Sequence, residues 1–230
     1  MKVQIYSLKT PEDAALCAAA GVDFIGVATG ERGRLAPEVD FATCRAIFAA
    51  VPPGSGVTRN AMTVAWEVAE IVETVEATAP DVVHLAGDVE RMPPAAVGEL
   101  RRAISPVKVM QAIPVGPADG RNGGGADSVG LALAYQAVCD YFIVDTRASG
   151  FVGIGATGAL HDWSVSAEIV RRSNVPVILA GGLSAENVAE AIRAVKPWGV
   201  DSFTHTNVPG TKQKDPERVR AFVAAARGAL

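Results

Sequence analysis

Asp145 closes a short apolar run and stands directly before a stretch carrying Gly150, Gly153, Gly155 and Gly158. A carboxylate at a strand tip beneath a glycine-hinged loop suits a general acid or base shielded by a lid. The competing reading is an aspartate that caps a helix or anchors the loop. Ala180-Gly181-Gly182-Leu183 follows a second apolar run. Glycines there let backbone N–H groups come close to an anion. Ser184 can cap the next helix, whose N-terminus adds positive potential, so this is a candidate phosphate site. A glycine pair at a strand end is also a common plain turn. The three histidines and nearby carboxylates lack ligand spacing, so no metal is implied, nor any other cofactor. Cys17, Cys44 and Cys139 are far apart, form no CxxC, and read as small buried hydrophobes.

Those candidates need a scaffold that gathers strand tips. Short Val- and Ile-rich runs alternate with Ala-rich segments of helical period, the pattern of parallel strands joined by crossover helices. The strands are read as Val3 to Ser7, Asp23 to Ala28, Ser55 to Arg59, Val82 to Leu85, Val107 to Ile113, Tyr141 to Asp145, Val175 to Ala180 and Val200 to Thr204. The first helix opens with Thr10 as N-cap, Pro11 in the first turn and Asp13 at N3, where Glu or Gln would complete a capping box. Later helices are expected at Phe41 to Val51, Thr63 to Ala79, Ala95 to Ala103, Ser128 to Val138, Ser164 to Ser173, Ala185 to Val195 and Pro216 to Ala229. Gly116 to Asp127 reads as a mobile loop. Eight strand–helix pairs favour an α/β fold of the closed (β/α)₈ TIM-barrel kind, spanning 1–230 as one domain. No GxGxxG follows strand one, so the dinucleotide fold loses its main support. In a barrel, the active site lies at the C-terminal strand ends and phosphate binds near strands seven and eight.

The 230 residues, 49% hydrophobic and 20% charged, suit one globular core. A net charge of −4 leaves no electrostatic footprint for nucleic acid or an anionic membrane, so a bound phosphate must be held by local donors. No signal peptide and no apolar run near the roughly 20 residues of a membrane span are visible, and a cytoplasmic protein is expected. Oligomeric state is not readable.

Longer motifs carry a resemblance. Pro11-Glu12-Asp13-Ala14, Val82 to Asp88, Val144-Asp145-Thr146, Gly155-Ala156-Thr157-Gly158 with His161-Asp162-Trp163, Leu179 to Leu183, Asn187-Val188, Lys196 to Asp201, and Pro209-Gly210 with Lys214-Asp215-Pro216 are similar to the phosphoribosylanthranilate isomerase family over nearly the whole chain. The resemblance implies an Amadori rearrangement of an aminoribose phosphate, a step of tryptophan biosynthesis. In that family a strand-six aspartate is the general acid on the furanose ring oxygen, and a strand-one cysteine removes the C2′ proton. By resemblance Asp145 takes the acid role, and Arg34 falls where the family places a substrate-contacting arginine.

The likeness breaks at the mouth. Gln4-Ile5-Tyr6-Ser7 puts Tyr6 at the cysteine position, and a phenol with a pKa near 10 is a poor base at neutral pH. Strand eight reads Ser202-Phe203-Thr204-His205-Thr206-Asn207, with Phe203 and His205 where the family has a serine and a glycine. Strand three reads Thr58-Arg59-Asn60. His84 stands at the family's inward-pointing glutamine, and strand parity puts Ala86 on the same face with room above His84. Histidine titrates near neutrality, so His84 is a candidate replacement for the base. Tyr6 is another candidate, as proton donor or hydrogen-bond orienter. His205 could contact substrate, and Thr204, beside Gly181 and Gly182, the phosphate. His161 reads as packing. Three functions stay open: an isomerase of this type acting on a phosphorylated sugar, a divergent sugar-phosphate lyase, epimerase or isomerase, and a non-catalytic ligand-binding barrel.

Overall fold

The computed structural model describes residues 1–33, 38–116, 125–146 and 163–229, with only the backbone for 125–127. Arg34, His161 and most of the two glycine-rich stretches lie outside the described residues. Eight parallel strands close in sequence order: β1 Lys2–Ile5, β2 Phe24–Ala28, β3 Thr58–Thr63, β4 Val82–Leu85, β5 Lys108–Val115, β6 Tyr141–Thr146, β7 Val177–Leu179 and β8 Gly199–Ser202. The helices between and after them are α1 Pro11–Ala19, α2 Phe41–Ala49, α3 Val68–Thr78, α4 Pro94–Ala103, α5 Gly125–Tyr135, α6 Trp163–Arg172, α7 Val188–Val195 and α8 Pro216–Arg227. This is the expected (β/α)₈ barrel. No helix among the described residues is long and apolar enough to cross a membrane.

Strand alternation sorts the core into two shells. Val3, Ile5, Ile25, Val27, Leu179 and Val200 point outward into the layer shared with the helices. Tyr6, Phe24, Val82, Met110, Ala112, Ile143, Ile178 and Ala180 fill the barrel itself. Phe24 and Tyr141, each at the start of its strand, pack edge-on at a centroid distance of 5.8 Å. Trp198 lies 5.7 Å from Phe24 and 5.6 Å from Tyr141, so aromatic rings plug the N-terminal end. Chemistry is left to the opposite end.

Asp13 does complete the capping box of α1. The Thr10 hydroxyl accepts from the Asp13 N–H at 3.2 Å, and Asp13 Oδ2 accepts from the Thr10 N–H at 3.3 Å. Strand β3 lies further along than the apolar pattern suggests. Gly54 and Gly56 adopt φ of +76° and +75°, which makes the stretch before Val57 a turn and forces the strand to begin at Thr58. Its polar start is stabilised by Arg59, whose guanidinium donates to both Asp81 oxygens at 2.9 and 2.7 Å. The shift delays α3 to Val68, because Thr63 still belongs to the strand and its hydroxyl accepts from the Ala65 N–H at 3.1 Å. Helix α7 likewise starts at Val188, since Ser184 and Asn187 shape a turn ahead of it. Strand β8 ends at Ser202, and Thr204–Thr206 form a 3₁₀ turn.

Candidate active site

Asp145 lies at the top of β6 with the inward parity of Ile143. Val144, Leu179 and Val200 are register partners across β6, β7 and β8. The next residue up on each strand, Asp145, Ala180 and Asp201, therefore follows on one row facing the barrel axis. The Ala180 N–H donating to the Val144 carbonyl at 2.8 Å holds that row. Burial raises the Asp145 carboxyl to about 7, opposed by the Thr146 N–H that Oδ1 accepts at 2.6 Å. Part of the side chain still reaches solvent. A carboxyl that titrates near neutrality can hold a proton ready to give.

Asp201 is 6% exposed and continues the row to Gln4, whose Nε2 donates to Asp201 Oδ1 at 3.2 Å. Burial raises this carboxyl to about 8, and the Asp145 charge adds to the shift. Gln4 in turn accepts from Asn60 Nδ2 at 3.3 Å, and the same nitrogen lies 3.4 Å from the Met110 sulfur. A polar chain thus crosses the barrel interior from the row that holds Asp145 and Asp201.

Tyr6 and His84 meet above it. The phenol oxygen lies 2.8 Å from His84 Nδ1, and the rings pack edge-on with centroids 5.6 Å apart. Both are sealed in, at 5% and 4% exposure, and His84 Nε2 has no hydrogen-bond partner among the described residues. Burial pushes the phenol well above its ordinary value and pulls the imidazole down to about 3. Tyr6 and His84 are therefore both neutral at physiological pH, and with the phenol as donor the imidazole keeps its remaining proton on Nε2. The ring of Tyr6 covers Gly26, where an added Cβ would meet ring carbons at 2.1 to 2.3 Å.

The end of β1 is held by Lys214, from the segment between β8 and α8. Its ammonium donates to the Tyr6 carbonyl and to Asn207 Oδ1 at 2.7 Å, and sits 4.9 Å from the centre of the Phe203 ring. Burial lowers it to about 8, against opposing negative groups that include Asp201 and Asp13. Gly181 and Gly182 take φ of +87° and +65° beyond β7, where a residue other than glycine is strained. Asn187 locks that turn, accepting from the Ser184 N–H at 2.8 Å and donating to the Gly182 carbonyl at 3.0 Å. Thr204 and His205 are exposed on the 3₁₀ turn after β8. The three thiols are buried in the helix-facing layers, each raised to about 12, so none of them stands at the mouth.

A family model described as PRAI, N-(5'phosphoribosyl)anthranilate (PRA) isomerase, matches residues 4–225. The chain belongs to this family. It is 34% identical to an N-(5'-phosphoribosyl)anthranilate isomerase of Methanocella arvoryzae over 229 residues, 98% of each chain. Among solved structures it is similar to the phosphoribosyl anthranilate isomerase of Thermotoga maritima, with 26% identity, a TM-score of 0.77 and 99% of each chain covered. It is also similar to a phosphoribosyl anthranilate isomerase in complex with reduced 1-(o-carboxyphenylamino)-1-deoxyribulose 5-phosphate, with 25% identity, a TM-score of 0.75 and 99% of each chain covered.

Within this isomerase fold, Asp145, Tyr6 and His84 all face the barrel interior, whereas Thr204 and His205 sit at its rim. Sequence reasoning passed over Asp201 and Lys214 as functional groups, although both lie inside family motifs. Asp201 carried a signal: a charged residue two positions before Phe203 in a short strand has inward parity, where an unpaired charge is costly. Gln4 and Asn60 gave none, because their contacts depend on register between strands distant in sequence.

Proposed function

We propose that this chain is an isomerase of a phosphorylated aminosugar, performing the Amadori rearrangement on N-(5'-phosphoribosyl)anthranilate or a close relative of it. The observation that carries the reading is the Asp145 carboxyl, set with inward parity at the C-terminal tip of β6, where burial pushes it up to about 7. Ring opening of a ribosylamine needs a proton on the furanose oxygen, and a carboxyl protonated near neutrality supplies it. Family membership supports the substrate class, as does the similarity to an isomerase bound to a reduced carboxyphenylamino-deoxyribulose phosphate.

In this reading the sugar lies across the mouth, with its ring oxygen on Asp145. Its phosphate rests on the Gly181-Gly182 turn, with Thr204 and His205 on the facing rim, and the resemblance assigns a substrate contact to Arg34. Tyr6 forms the wall at β1 and β2, its phenol kept in one orientation by His84. The wall is bulkier than a thiol would make it, and this favours the second reading, a phosphorylated aminosugar whose non-phosphate half is not anthranilate. Fluorescence-monitored turnover of freshly generated phosphoribosylanthranilate by the full chain tests the proposal, with the Asp145→Asn variant as control. Turnover by the wild type and a loss of about 100-fold or more in the variant is the expected result. Equal rates for both would remove Asp145 from the acid role.

A further inference from the structure

The family chemistry takes a second proton-handling group, one that removes hydrogen from C2′. Tyr6 stands at the position of the thiol that does this by resemblance. The phenol is engaged with His84 and remains protonated, and the imidazole is enclosed, with its Nε2 cut off from solvent. Among the described residues, another group facing the interior is needed to accept the proton.

We infer that Asp201 is the base, and that Asp145 and Asp201 work as one acid–base pair across β7. The geometry rests on register. The two residues follow Val144 and Val200, which are both partners of Leu179, so they occupy one row separated only by Ala180. Neighbouring strands lie about 4.8 Å apart, which puts the two backbones about 10 Å apart along the row. Both residues have inward parity, and the residue between them carries only a methyl group, so β7 places no bulky side chain between the two carboxyls. Asp201 is also the row neighbour of Gln4, two residues below Tyr6, which brings it beneath the place the thiol would occupy. The Gln4 amide at 3.2 Å orients it without neutralising it, and the Lys214 ammonium adds a favourable charge.

The steps balance in protons and electrons. Asp145 gives its proton to the ring oxygen as the C1′–O bond breaks, and the amine lone pair closes a C=N bond. The Asp201 carboxylate then takes the C2′ proton. The C–H pair becomes the C1′=C2′ bond, and the C=N π pair returns to nitrogen. Asp201 returns its proton to C1′ while the enol hydroxyl proton leaves through solvent to Asp145, which restores both groups. One proton shared by two carboxyls is the state that a coupled pair holds between its two titration steps, and the reaction runs from the form with that proton on Asp145.

This inference rests on the functional reading above, and two measurements on the full chain separate their failures. Carboxyl titration by infrared difference spectroscopy is expected to show two steps near neutrality in the wild type. Asp145→Asn and Asp201→Asn should each leave a single step, below the upper step of the pair. In the turnover assay, Asp201→Asn should lower kcat by about 100-fold or more with KM changed only a few-fold, while Asp201→Glu recovers part of the loss. Circular dichroism and thermal unfolding establish that each variant is folded, and where Asp201→Asn is not, Asp201→Glu and the titration of Asp145→Asn decide. An upper step unmoved in Asp145→Asn, or Asp201→Asn turnover within 10-fold of wild type, overturns the pair. A wild type inert toward the substrate refutes the functional reading instead, and the titration alone then decides whether the carboxyls act together.

Discussion

Replacing Gly26 with alanine adds a methyl group where the Tyr6 ring already lies, at 2.1 to 2.3 Å from three ring carbons. Such approaches are far inside van der Waals contact, so the ring has to move. It cannot swing freely, because its oxygen is held on His84 Nδ1 at 2.8 Å and its carbonyl on Lys214. Overpacking a filled core costs about 1–3 kcal/mol. Pulling the phenol from His84 leaves a buried nitrogen unpaired, for about 1–3 kcal/mol more. Against this, alanine gains about 0.5–1 kcal/mol over glycine inside a strand. The net expectation is a loss of about 1–5 kcal/mol in urea unfolding, or about 2–4 °C in Tm for each kcal/mol at this chain length.

The double-mutant cycle makes the reasoning refutable. In a Tyr6→Ala background the ring is gone, and Gly26→Ala should turn neutral or stabilising by up to about 1 kcal/mol. Tyr6→Phe isolates the hydrogen bond, with an expected loss of about 1–3 kcal/mol and the clash at Gly26 intact. An equal cost for Gly26→Ala in the wild-type and Tyr6→Ala backgrounds would show that the ring does not set the shape of this wall.

Two further outcomes follow from the buried charges. Folding raises the Asp145 and Asp201 carboxyls from 3.8 to about 7 and about 8, so the folded state holds protons that the unfolded chain gives up. Stability from this source is complete below about pH 4 and is lost as pH rises through 7 to 8. Urea midpoints should therefore fall between pH 5 and 8.5, and Asp145→Asn should flatten that fall; a steeper decline in the variant would contradict the sign. Lys214→Met keeps the stem but leaves the Tyr6 carbonyl and Asn207 without their donor, so chemical unfolding should show a loss of about 1–3 kcal/mol. A more stable Met variant would mean that burying the ammonium costs more than its bonds return.

The scaffold was legible because strand–helix alternation and caps are local properties. Thr10, Pro11 and Asp13 announce α1, and the apolar runs of β4 and β6 coincide with the strands. Misplacement occurred where a strand is polar. Thr58-Arg59-Asn60 looks like a strand end, yet Asp81 neutralises Arg59 and Gln4 takes up the Asn60 amide, so the strand runs on to Thr63. Neither partner is near in sequence, and no local pattern contains them.

The same limit explains why Asp145 stood out from the sequence and Asp201 did not. A carboxylate before a glycine-rich stretch is visible one strand at a time. Whether a second carboxylate faces the first depends on register between strands, and in a closed barrel every register is linked to the others through tilt and shear. Leu179 pairs with both Val144 and Val200, and only that double pairing brings Asp145 and Asp201 onto one row. A residue inserted into β7 would turn Ala180 outward and change which residues share the row. The proton chemistry of this mouth therefore depends on the length of a strand that contributes no acid or base of its own.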